Sequence, residues 1–79
     1  MRKKTKQLLI TFSTTTAAMA MESRARKAGI FGRLIPLPSE ISAGCGLSWK
    51  TKPEEKEKML EFLEEEKLKW EAMYELELY

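Results

Sequence analysis

Five residues, Leu8-Leu9-Ile10-Thr11-Phe12, run straight into four hydroxyl side chains, Ser13-Thr14-Thr15-Thr16. That junction constrains the fold more than any other stretch. Leu8, Ile10 and Phe12 alternate with Leu9 and Thr11, which is the period of a strand, and residues suited to burial on both faces predict a central strand over 7–13. Ser and Thr are favoured helix N-caps, because their oxygens accept from the unpaired N–H groups of a first turn. A helix is therefore predicted over 15–28. Ala18, Met21, Ala25 and Ala28 fall on its inward face, with Glu22, Arg26 and Lys27 outside. The small alanines let such a helix lie close on a sheet, and Gly29 supplies a left-handed stop.

The remaining pattern extends this start. Ile30 to Leu37 reads as a second strand, and Pro36 and Pro38 place it at an edge or a strand end. Leu47 to Thr51 reads as a short third strand with Leu47 and Trp49 on one face. Thr51 with Glu54 fits a capping box, with Pro53 allowed in the first turn of a second helix. Met59, Leu60 and Leu63 would face inward there, with Phe62 beside them. Trp70 to Tyr79 reads as a fourth strand, with Ala72, Tyr74, Leu76 and Leu78 on one face. The order β-α-β-β-α-β predicts an α+β, ferredoxin-like fold: a four-stranded antiparallel sheet, strand order 4-1-3-2, with two helices on one face. Seventy-nine residues make a single domain, here 1–79 with residues 1–6 as a basic N-terminal tail.

Composition narrows the chemistry. The chain has no His, no Asp and one Cys, so an internal disulfide, a His/Cys metal site and a Ser-His-Asp or Cys-His catalytic group are excluded within one chain. No cofactor or metal is expected, and a lone free thiol favours a cytoplasmic location. Residues 1–36 carry a net charge of +7 and residues 37–79 one of −5. No RNA-binding signature accompanies the basic half, and the first and third strands lack solvent-facing aromatic pairs, so nucleic acid is not the expected partner. The basic start and the Ala18-Met19-Ala20 pattern resemble a secretory signal, but the apolar run of five residues is shorter than such a signal needs. No stretch approaches the length that crosses a membrane.

The chemistry-bearing stretch is Pro36–Trp49, with two prolines, two glycines and Cys45. In the predicted topology the first and second strands run parallel, so their C-terminal ends, the start of the first helix and the Cys45 loop share one sheet edge. A helix N-terminus presents free N–H groups and about half a positive charge, a setting that favours a thiolate over the free thiol of pKa ~8.5. Ser13, Thr14, Thr15 and Thr16 would donate to a thiolate or a bound anion, and the segment 67–70 would approach the same edge. Arg24, Arg33 and Lys50 are candidate sources of positive charge. Gly44 and Gly46 beside Cys45 leave room for a partner's sulfur; equally, they serve a turn and nothing else. Trp49 and Trp70 read as packing residues. The exposed sheet face is a candidate surface for a second copy or another protein.

Three segments resemble a known family, over about residues 8–65. Thr11-Phe12, Thr14-Thr15, Ala17-Ala18 and Glu22 are similar to its opening strand and helix cap. Ala28-Gly29-Ile30 and Arg33-Leu34-Ile35-Pro36-Leu37-Pro38 are similar to its second strand. Glu40-Ile41-Ser42-Ala43-Gly44-Cys45-Gly46-Leu47 is similar to its cysteine loop, the most specific of the three. The family is the small bacterial selenium/sulfur carrier-like proteins. The resemblance implies that Cys45 is a carrier thiol cycling through a persulfide or selenopersulfide, supported by Ser42, Gly44 and Gly46. It also implies donor and acceptor proteins as partners, for example a cysteine desulfurase. The alternative is a non-catalytic interaction or regulatory module in which the cysteine is incidental.

Overall fold

A computed structural model describes residues 5–41 and 45–78. Its elements are β1 (Thr5–Thr11), α1 (Thr15–Ala28), β2 (Arg33–Pro36), β3 (Leu47–Thr51), a 3₁₀ turn (Pro53–Glu55), α2 (Lys56–Glu65) and β4 (Ala72–Leu78). The strands form one antiparallel sheet in the order β2-β3-β1-β4. The α+β architecture and the strand order are those expected, and the central position of β1 follows from its burial on both faces. Leu8, Ile10 and Phe12 join Trp49 in a core with Ala18, Met21 and Ala25 of α1 and Met59, Phe62 and Leu63 of α2. Leu9, Thr11 and Ser48, on the opposite face, are fully buried as well, so the centre of the second face is not an open surface.

The differences from the expected elements have local causes. β1 begins at Thr5, so Thr5 and Lys6 belong to the sheet and not to a tail; they pair with Leu78 and Glu77 of β4. β2 is short because Gly32, at φ 133°, leaves the strand region. Thr51 does not cap a helix. It is the last residue of β3, opposite Leu8, so its side chain is committed to the sheet, and its buried hydroxyl has no hydrogen-bond partner among the described residues. The chain then passes through the 3₁₀ turn, and neither that turn nor α2 has a side-chain cap. On α2, Met59, Phe62 and Leu63 are buried, the i, i+3, i+4 set; Leu60 lies off that face and is exposed, as is Ala28 on α1. Trp49 is core, whereas Trp70 precedes β4 and is 38% exposed.

Both helices end in the same way. After α1, Gly29 (φ 69°) donates to the Arg26 carbonyl and Ile30 to that of Ala25. After α2, Lys67 (φ 53°) donates to Glu64 and Leu68 to Leu63. These are paired Schellman closures, each requiring a left-handed residue. In the first that residue is glycine; in the second it is lysine.

Candidate functional site

Cys45 stands two residues before β3, whose first residue, Leu47, pairs with Pro36 at the end of β2. Ser48 pairs with Thr11, the last residue of β1, and α1 starts four residues after Thr11. The register therefore brings the Cys45 loop and the start of α1 to one sheet edge, as the topology predicts. The loop is closed at its base by the Leu37 N–H donating to the Gly46 carbonyl, 2.9 Å. Gly46 has φ 73° and open space around its α-carbon, so it is glycine for its backbone angle, with unfilled room beside the cysteine as a consequence. Ser42 and Gly44 lie outside the described residues.

Cys45 is a free cysteine, half-buried, and its carbon side packs against the core. Its Sγ–H donates to the Leu47 carbonyl at 3.6 Å. Gly46, next after Cys45 in the chain, is exposed.

At the start of α1 the hydroxyl run divides its roles. Thr14 is the N-cap, and its Oγ1 accepts from the Ala17 N–H at 3.1 Å. Ser13, Thr15 and Thr16 are exposed. Ser13, Thr14 and Thr16 line a cavity of about 480 Å³ together with Lys67, Leu68 and Lys69. The segment after α2 thus reaches the helix start, and the left-handed turn at Lys67 directs it there. Cys45 is not among the residues that line this cavity.

The sources of positive charge differ from those expected. Arg24 sits late in α1 and pairs with Glu66 at 3.2 Å. Arg33 opens β2 and Lys50 lies near the end of β3, at the far end of the sheet from Cys45. Among the described contacts, none of the three reaches the cysteine. Lys67 and Lys69 are the cations near the α1 start. They belong to the segment 67–70 expected to approach this edge, although that expectation does not single them out as its sources of charge.

No helix among the described residues is long and apolar enough to cross a membrane. No curated protein and no solved structure matches the chain. A family model described as "Putative Se/S carrier protein-like" matches residues 7–75. That span takes in all four strands except the ends of β1 and β4, both helices and the Cys45 loop, and the chain belongs to this family.

Proposed function

We propose that this protein relays sulfur or selenium on Cys45. The observation that carries the reading is that a member of a Se/S carrier-like family holds its only thiol half-exposed in a loop at the sheet edge where α1 begins. In the relay, the Cys45 thiolate attacks the terminal sulfur of a donor persulfide. A new S–S bond forms at Cys45, the donor's S–S bond breaks, and the donor leaves as a thiolate. An acceptor thiolate then attacks the terminal sulfur and releases Cys45 as a thiolate. No net oxidant or reductant is needed. Selenium follows the same course through a selenopersulfide. The donor and acceptor are proteins with an accessible thiol or persulfide, a cysteine desulfurase being one candidate donor.

Helix N-terminal N–H groups and the free hydroxyls of Ser13, Thr15 and Thr16 support an anion at this edge. Attack on a donor persulfide would take the Cys45 sulfur away from its contact with the Leu47 carbonyl.

Incubation with a persulfide donor followed by intact-mass measurement tests the reading. Wild type is expected to gain the mass of one sulfur atom, and Cys45→Ala none. A wild type that stays unmodified while its folded spectrum is intact sinks the relay. The interaction-module reading then leads, favoured by Tyr74, 38% exposed beside Leu76 on the outer face of β4.

A further inference from the structure

At the end of the sheet away from Cys45, two cations face each other. Arg33 and Lys50 are direct partners in the β2–β3 register, so their side chains rise from the same face about 5 Å apart at Cβ. Like charges directly opposite destabilise a strand pair. A third cation, Lys52, is held close by: its Nζ lies 5.0 Å from the centre of the Phe31 ring, a cation–π contact that fixes an otherwise mobile ammonium. All four residues line one cavity of about 430 Å³, within the range of small-molecule sites.

Gly32, which borders the cavity, is held tightly against the chain's own core. Gly32 crosses the Trp49 indole with φ 133°, and a Cβ there would meet the indole nitrogen and lie 2.7 Å from the Lys50 carbonyl oxygen. Thr51 also borders the cavity, but its side chain lies on the core face with Leu8, opposite Arg33 and Lys50, and takes no part in holding a ligand. No carboxylate lines the cavity among the described residues, and the ion pairs recorded there use Arg24 and Arg26 instead. Three unneutralised cations around a concavity, one of them a guanidinium that can bind two oxygens at once, match a phosphate group. The volume exceeds what phosphate alone fills, and Phe31, 54% exposed, offers an apolar wall for an organic body.

We propose that this cavity binds a small phosphate ester with a flat apolar body, a nucleotide-like ligand, with Arg33, Lys50 and Lys52 on the phosphate and Phe31 against the body. The site is independent of the thiol, so its ligand is bound whether or not Cys45 carries sulfur.

Titration of the full-length labelled chain with adenosine 5′-diphosphate, followed by backbone amide shifts, tests this. Saturable shifts are expected at Gly32, Arg33, Lys50 and Lys52, unchanged in Cys45→Ser. Adenosine should produce none, and inorganic phosphate should bind more weakly than the diphosphate. The Arg33→Gln/Lys50→Gln pair should weaken binding by about 10-fold or more, Lys52→Gln by less, with the rest of each spectrum retained. An absence of shifts, shifts centred on Ser13–Thr16, or affinity unchanged in both variants overturns the proposal. So does tighter binding of a single-stranded oligonucleotide with shifts spread over α1, which would make this a nucleic-acid surface. Equal affinity for inorganic phosphate removes the organic body from it.

Discussion

The two ends of the sheet are built from different materials. At the Cys45 end the candidate groups sit on loops and helix termini: the cysteine before β3, the hydroxyls at the start of α1, and Lys67 and Lys69 after α2. At the other end the groups are strand residues or their immediate neighbours, with Arg33 and Lys50 fixed by the ladder itself. Register holds side chains rigidly, so that end can keep like charges together. Surface loops are where binding groups commonly sit, which suits the thiol of the proposed relay. One small sheet can therefore carry two candidate sites, one on strands and one on loops and helix termini, without either sharing residues with the other.

The comparison breaks most sharply at Gly32. Gly32→Ala places a methyl group against the Trp49 indole and the Lys50 carbonyl at a backbone angle that L residues resist. The expected cost is about 2–4 kcal/mol, read as a lowered denaturant midpoint. At temperatures where the variant stays folded, it should lose the amide shifts of the cationic cavity and keep sulfur loading at Cys45. Loss of both together would show that the ends are not independent.

A smaller effect is expected at the opposite end. Thr14→Ala removes the hydroxyl that accepts from the Ala17 N–H and should cost about 1 kcal/mol, measured by urea unfolding. Thr14→Ser should restore most of it. Diphosphate binding should not change in either variant. A cost near zero would mean that water or a neighbouring hydroxyl caps α1 equally well.

The smallest change has the opposite sign. Lys67 occupies the left-handed position that Gly29 fills in the other helix. Lys67→Gly should relieve strain and stabilise the chain by roughly 0.5–1 kcal/mol. The same substitution removes one cation from the cavity beside Ser13–Thr16. If the lysine serves the Cys45 end, sulfur loading should slow while stability rises; a gain in stability with unaltered loading would assign Lys67 to the turn alone.

Much of the fold was legible in local pattern. Alternation at Leu8–Phe12 marked a strand buried on both faces, the threonine run marked the start of α1, and Gly29 marked its end. Each of these is a property of neighbouring residues. Lys67 was not legible, because a lysine carries no left-handed preference and only the packing of Leu68 on the core imposes the turn. Thr51 was misread as a cap because the capping-box spacing was present; burial opposite Leu8 overrode it. Gly32 was read as part of a strand because its neighbours are apolar, while its role depends on Trp49, seventeen positions away.

The site divides in the same way. The sequence by itself determined that one thiol exists, that a glycine follows it, and that strand, helix and loop order bring it to the edge where α1 begins. Only the tertiary structure decided which charges accompany it. It placed Arg33 and Lys50 at the far end, tied Arg24 to Glu66, and set Lys67 and Lys69, from the segment expected at this edge, as the cations lining a cavity with the hydroxyl run. The reason is physical. Element order follows from local periodicity, whereas the company a side chain keeps depends on strand register and on where a turn releases the chain. Both are set by contacts between segments distant in sequence.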